Sequence, residues 1–249
     1  MHKFFISNNL IDGDKALIEG DDVKHIYKVL RLQVGDEIII NNLNGQEYLA
    51  RIDDINKKEV QLAIIEKLDV SNESPIRIHL YQGLPKSTKM DLIAQKGTEL
   101  GISSITPVIT ERVIVKNEGE FKKVDRWQRI ALEASKQSKR TLIPSINTPI
   151  SFEIMMSEIN DMDLIVVPYE NAEGYGIKKM MDNLNAESIV DIAIVIGPEG
   201  GFEEEEISKL KDIGAHIVTL GPRILRTESA GFVCTAMLQY ELGDVGGVV

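Results

Sequence analysis

The sequence predicts an α/β protein in two parts, a small β-rich domain over residues 1–72 and a larger strand–helix domain over residues 73–249. Two patterns and one break carry this expectation. Residues 1–70 hold short β-prone runs separated by turn residues. From Ile76 onward, apolar runs alternate with segments of helical periodicity, the pattern of a mainly parallel sheet. The polar stretch Val70-Ser71-Asn72-Glu73-Ser74-Pro75 divides the two and is the linker candidate.

In the first part, Asp36–Asn41, Glu47–Ile52 and Glu59–Ile65 read as strands. Asn41-Asn42-Leu43-Asn44-Gly45 supplies hairpin chemistry between the first two, because Asn and Gly tolerate positive φ. Short strands at this spacing suggest a small barrel. One helix is predicted over Asp21–Leu32, with Val23, Ile26, Tyr27 and Leu30 at helical spacing.

In the second part, the predicted strands are Ile76–Gln82, Ser104–Thr110, Leu164–Pro168, Asp191–Gly197 and His216–Leu220. A helix over Thr88–Leu100 follows from Met90, Ile93, Ala94 and Gly97, with Gly101 placed to end it. Asp125–Arg140 repeats the pattern with Trp127, Ile130, Ala131 and Ala134. Glu203–Ile213 opens with acids suited to the positive end of a helix dipole. Ala230–Leu242 is an apolar helical run that holds Cys234 as packing.

Charge and composition bound the function. The chain has 249 residues and a net charge of −11, yet Arg77–Arg140 carries a net +6 while Thr141 to the end carries −12. A basic middle third inside an acidic protein fits a focused contact with nucleic acid rather than broad non-specific binding. No apolar run approaches the roughly 20 residues that a membrane-spanning helix needs, so no membrane partner is expected. Met1–Asn9 lacks the apolar core of a secretory signal, and a cytoplasmic location is expected. A single cysteine and four scattered histidines leave no metal-ligand spacing.

Chemistry is expected at the strand ends, where open α/β sheets bind ligands. Leu164–Val167 runs into Pro168-Tyr169-Glu170, Ile192–Ile196 into Gly197-Pro198-Glu199-Gly200-Gly201, and Ile217–Leu220 into Gly221-Pro222-Arg223-Ile224-Leu225-Arg226-Thr227-Glu228. Glycines after a strand permit close approach of backbone to a ligand. Neither a dinucleotide fingerprint nor a triphosphate loop is present. Four consecutive glutamates after Phe202 suit a cationic ligand such as a sulfonium better than a phosphate. Without a nucleophile motif, chemistry carried by a cofactor is favoured.

Gly197–Phe202 followed by Leu220–Ala230 resembles the signature of the ribosomal RNA small subunit methyltransferase E family, a branch of the SPOUT methyltransferases. Further matches run in order along the chain: His25–Arg31 with Gly35-Asp36, Lys89-Met90-Asp91, Lys96–Gly101 and Glu133–Arg140. The resemblance implies a PUA-like β-barrel followed by a SPOUT-type α/β methyltransferase domain with a C-terminal trefoil knot. It implies S-adenosylmethionine as donor, a homodimer, and methylation of N3 of a specific uridine in 16S rRNA of the small ribosomal subunit. The donor is then expected among Pro168, Tyr169, Glu170, Ile196, Gly197, Pro198, Glu199, Gly200 and Gly201, and across Leu220, Gly221, Ile224, Leu225, Thr227 and Ser229. Ser229 stands where the family usually has threonine, which keeps the hydroxyl. Thr110–Lys116 matches the family's Arg segment only loosely.

Catalytic candidates are Arg226 and Arg223, to stabilise negative charge spreading over the uracil ring, and Glu228, as proton acceptor or as a carboxylate orienting an arginine. Candidate RNA contacts are Lys28 and Arg31 in the first part and Lys89, Arg112, Gln137 and Arg140 in the second. Two other readings compete: a non-catalytic RNA-binding assembly factor that keeps a relic pocket, and a ribose 2′-O-methyltransferase of the same superfamily.

Overall fold

The computed structural model describes residues 1–69, 72–113 and 123–247. Val70 and Ser71 of the linker candidate, and Ile114–Lys116 of the Arg segment, lie outside the described residues. The chain divides into two compact units, Met1–Glu73 with Ser135–Ile143, and Ser74–Ala134 with Pro144–Val249.

The first unit contains β1 (Lys3–Phe5), β2 (Ile11–Asp12), β3 (Lys15–Glu19), α1 (Asp21–Lys24), β4 (Glu37–Asn41), β5 (Glu47–Ile55) and β6 (Glu59–Leu68). These strands form one sheet in the order β1-β4-β5-β6-β3-β2, antiparallel except for β1 on β4. Period-two alternation makes the core: Ile38 and Ile40, Ala50 and Ile52, Val60 and Leu62 point to one buried cluster with Ile18 and Ile26. Between β4 and β5 the side chains of Asn41 and Asn42 accept hydrogen bonds from the amides of Leu43, Asn44 and Gln46, which shapes the predicted turn.

The predicted helix over Asp21–Leu32 is shorter and wider than its periodicity suggests. After α1 the chain continues as a π-helical turn over His25–Leu30 and stops at Arg31, whose φ is +55°. The extra residue in the turn rotates the face beyond Ile26, so Tyr27 is exposed although spacing placed it with the core.

The segment Ser135–Ile143 belongs to this unit because Glu73 holds it. The Glu73 carboxylate accepts from the backbone amides of Thr141 and Leu142 at 2.7 and 2.9 Å and pairs with the buried Arg140 guanidinium. The Asn41 side chain donates to the Thr141 carbonyl at 2.8 Å.

The second unit contains β7 (Arg77–Gly83), α2 (Lys89–Glu99), β8 (Ser104–Ile109), α3 (Val124–Ser138), β9 (Ser145–Ile146), β10 (Ile150–Ser151), α4 (Phe152–Ile159) and β11 (Leu164–Pro168). Then follow α5 (Ile177–Met181), β12 (Asp191–Ile196), α6 (Glu204–Asp212), β13 (His216–Val218) and α7 (Thr227–Leu242). The last four residues of α3 fall in the first unit's share of the chain. The sheet is parallel throughout, in the order β10-β8-β7-β12-β11-β13, with β9 also on β8. Ile192, Ala193, Ile194 and Val195 of β12 are all buried, the continuous apolar run of a central strand covered on both faces. Several predicted boundaries move: β5 and β6 run on to Ile55 and Leu68, α3 ends at Ser138 because Lys139 takes φ +60°, β13 stops at Val218, and α7 starts at Thr227.

Replacing Arg140 with Met should destabilise the protein by about 3 kcal/mol, since it removes the balancing charge from a largely buried carboxylate. Thermal unfolding of the full chain reads this directly. An unchanged Tm would mean that the Glu73 pair contributes nothing.

Candidate functional site

The loops that leave β11, β12 and β13 surround a cavity of about 570 Å3. Ile196, Leu220 and Leu225 give it apolar wall, and Ile224 stands at its edge 88% exposed. Glu170 and Glu199 are the carboxylates in the lining, and Arg223 and Arg226 are its arginines.

Local sequence explains how the loops hold this shape. Thr227, the first residue of α7, is buried; its hydroxyl donates to the Gly197 carbonyl at 2.6 Å and accepts from the Gln82 amide at 2.7 Å. The end of β7 comes so close to the β12 loop that a Cβ on Gly83 would sit 2.4 Å from the Pro198 nitrogen. Gly201 turns back at φ +70°, where a Cβ would meet the Glu170 carboxylate at 2.7 Å. From outside, Arg112 grips the same loop: its guanidinium bonds the Glu203 carboxylate at 2.6 and 2.8 Å and the Gly200 carbonyl at 2.9 Å. That grip holds Glu203 below the usual carboxylate range.

The four glutamates do not form one field. Glu203 and Glu206 close a capping box at the start of α6, and Glu206 also accepts from the Glu111 amide. Neither lines the cavity.

A charged cluster forms part of the wall. The Lys89 ammonium lies 3.0 Å from Glu199 and 3.1 Å from Glu228. Burial works against the charge on Glu199, but the Lys89 ammonium and the amides of Glu199 and Lys86 more than offset it, leaving its pKa below the usual value. Burial likewise opposes the Lys89 ammonium, and its two carboxylate partners raise its pKa above the usual value.

Most of the residues expected around a donor line this cavity: Pro168 to Glu170, Ile196 to Glu199 with Gly201, and Leu220, Gly221, Ile224, Leu225 and Thr227. Gly200 and Ser229 do not. Arg223 and Arg226 are exposed at the cavity, and among the described residues neither has an ion-pair partner. Glu228 is paired with Lys89 rather than with either arginine. Lys89, expected to contact RNA, lines the cavity. Arg112 is committed to the glycine loop and Arg140 to Glu73. Lys28, Arg31 and Gln137 are exposed in the first unit.

Sequence reasoning missed Gln82 and Gly83, which brace the loops. The only trace was the small residue Gly83 ending a strand whose neighbours are large. Among the described residues, no helix is long and apolar enough to cross a membrane, and no group of three metal-ligating side chains occurs.

Comparison with known proteins gives this geometry a family. Residues 72–239 match the model of an RNA methyltransferase domain, and residues 18–65 match that of an RNA methyltransferase PUA domain. A ribosomal RNA small subunit methyltransferase E of Bacillus subtilis is 34% identical, over 97% of this chain and 97% of that protein. The enzyme of the same description from Aquifex aeolicus is 32% identical, over 92% of this chain and 95% of its own. The crystal structure of a ribosomal RNA small subunit methyltransferase E from Neisseria gonorrhoeae bound to S-adenosyl methionine superposes with a TM-score of 0.83 at 31% identity, covering 98% of this chain and 99% of that one. A parallel-sheet domain with its cavity at the strand ends, preceded by a PUA-type domain and similar to these enzymes along nearly its whole length, belongs to the ribosomal RNA small subunit methyltransferase E family.

Proposed function

We propose that this protein methylates N3 of a specific uridine in 16S rRNA with S-adenosylmethionine as donor. The observation that carries the reading is the cavity at the ends of β11, β12 and β13. It combines an uncovered apolar side chain, Ile224, with carboxylates on the opposite chemistry. Its volume suits a nucleoside-sized ligand. An apolar slot suits a purine, and the Glu170 and Glu199 carboxylates suit a cationic centre.

The donor supplies an electrophilic methyl group. Ile196, Leu220, Ile224 and Leu225 pack on its flat, apolar part, and the glycine loop lets backbone amides and carbonyls approach its polar edge. Gly200 belongs to the same glycine loop, packed against Arg112, and Ser229 to the first turn of α7. Arg226 and Arg223, without ion-pair partners among the described residues, stabilise negative charge on the uracil ring or hold a neighbouring phosphate. Glu228 acts as an orienting carboxylate. N3 takes part in Watson–Crick pairing, so the target base is unpaired or extruded when it enters.

The PUA-type domain, residues 1–72, holds the RNA through Lys28 and Arg31, with Gln137 beside it in the same unit; residues 73–249 carry the chemistry. Arg112 and Arg140 serve RNA binding by shaping the loops that meet it. We read the path from β13 into α7 as a trefoil knot of the SPOUT type. The placement of α7 against β7 and β12, although β13 lies at the far edge beyond β11, supports that path. A homodimer is favoured by Leu92 on α2 and by Met237 and Tyr240 on α7, apolar side chains left exposed on two helices that pack together. An rRNA substrate places the protein in the cytoplasm.

Labelled methyl transfer to unmethylated small subunits, with free 16S rRNA in parallel, followed by nucleoside mass spectrometry, tests the reaction. The expected product is 3-methyluridine. A ribose-methylated nucleoside would support the 2′-O reading, and no transfer with donor still bound would overturn the substrate. Arg226→Ala should cut transfer by about 100-fold with donor affinity retained; unchanged transfer would remove Arg226 from the chemistry. Thr227→Val takes one of two acceptors from the buried Gln82 amide and loosens the Gly197 loop, so donor affinity measured by calorimetry should fall by about tenfold, the equivalent of roughly 1–2 kcal/mol. Light scattering should give twice the 27.8 kDa chain mass, and a monomer would refute the dimer.

A further inference from the structure

We propose that Lys89 is a catalytic residue of this site: a fixed ammonium that stabilises the negative charge on the uracil ring while N3 is methylated. The inference rests on the uridine reading above and goes beyond it by adding a cation fixed in place to the two arginines, which are then left to meet the RNA at the cavity mouth.

Lys89 is the first residue of α2, directly after Thr88. A cation there faces the positive end of the helix dipole, the end where helices favour acids. Two residues earlier, Ser87 takes φ +60°, a left-handed conformation that a non-glycine residue adopts under constraint. Local preference is therefore broken twice within three residues, and such breaks gather where function needs them.

What holds Lys89 in place comes from two segments distant in sequence. Glu199 stands in the loop after β12 and Glu228 in the first turn of α7, at 3.0 and 3.1 Å. Glu199 is itself anchored by the Lys86 amide at 3.1 Å. The two carboxylates keep the amine charged despite its burial. Both contacts are ion pairs, and the buried Glu228 Oε2 accepts no hydrogen bond among the described residues, so the ammonium keeps N–H groups for a ligand. The side chain lines the cavity and keeps 27% of its surface exposed.

The chemistry needs such a group. Loss of the N3 proton to solvent leaves an anion shared among N3, O2 and O4. N3 then forms its bond to the methyl carbon as the methyl–sulfur bond breaks and its electron pair stays on sulfur. A cation whose partners are already set stabilises charge on O2 or O4 without reorganising at the moment of reaction. Arg223 and Arg226 are exposed and have no ion-pair partners among the described residues, so each has to be ordered first. Glu199 and Glu228 are positioning residues for Lys89.

The test uses the full chain with Lys89→Met. Donor affinity is measured by calorimetry. Transfer is measured on small subunits reconstituted with ordinary 16S rRNA and with 16S rRNA carrying 5-fluorouridine, whose N3 is more acidic. Transfer to the ordinary substrate should fall by about 100-fold while the donor Kd stays within about threefold. The fluorinated substrate should restore about tenfold of that loss, and wild type should gain far less, because an easier ionisation replaces what the ammonium supplied. Lys89→Arg, which keeps the charge, should lose less than Lys89→Met. Should Lys89→Met not fold, Lys89→Gln against Lys89→Arg on the two substrates carries the same comparison. Equal losses on both substrates, or a donor Kd that weakens in step with transfer, would reduce Lys89 to a brace of the cavity wall. If wild type gives neither 3-methyluridine from the ordinary substrate nor 5-fluoro-3-methyluridine from the fluorinated one, the uridine reading fails on its own and this assignment with it.

Discussion

The cavity depends on one hydroxyl. Thr227 Oγ1 is buried between a carbonyl that needs a donor and an amide that needs an acceptor, and a hydroxyl is the smallest group that serves both. Through it the end of β7, the loop after β12 and the start of α7 become one piece. The fit around that joint is tight enough that Gly83 cannot carry a side chain beside Pro198. Once these three segments are fixed, the places of Glu199, on the loop, and Glu228, one residue past Thr227, follow. So does the place of the ammonium they share. The order is packing first, electrostatics second. A cation at a helix N-terminus is tolerated because the surrounding contacts already determine where its partners are.

Much of this was legible before any coordinates. The parallel-sheet domain shows in the alternation from Ile76 onward, because strands buried on both faces must be apolar without interruption, as β12 is. The strand-end loops show because glycine and proline in that place have few other reasons to gather. The short elements were not legible. β2, β9 and β10 have two residues each, too few for any period, and their pairing is decided by distant neighbours. The helix α4 was readable in principle: Ser151 caps it, and Phe152, Met155 and Ile159 share its buried face. The π-helical turn at His25–Leu30 escaped because periodicity assumes a regular helix, and one added residue moves Tyr27 out of the core.

Side-chain roles were harder to read than positions. Thirteen of the fifteen positions expected around a donor fall in the cavity wall, since position follows from the backbone path. What a charged side chain does there follows from its partner, and partners lie far off in sequence. Glu228 sits 139 residues from Lys89, Glu203 lies 91 residues from Arg112, and Arg140 is 67 residues from Glu73. No local pattern carries information about such pairs.

The same pairing changes what the basic middle third means. Counted by sequence, Arg77–Arg140 offers a net +6 to a polyanion. In the structure Arg77 is bonded to Asp191, Arg112 to Glu203, Arg126 to Asp91, Arg140 to Glu73 and Lys96 to Glu99. Arg77, Arg112 and Arg140 are offset by acids outside the segment, which takes about half of the excess away from phosphate. An overall charge of −11 adds repulsion. Non-specific attraction to RNA is consequently weak, and on the proposed reading recognition comes from a few exposed cations such as Arg223 and Arg226 and from the shape of the RNA that reaches them. For an enzyme that must modify one base among many, weak attraction elsewhere favours selectivity, because competing sites hold the protein less.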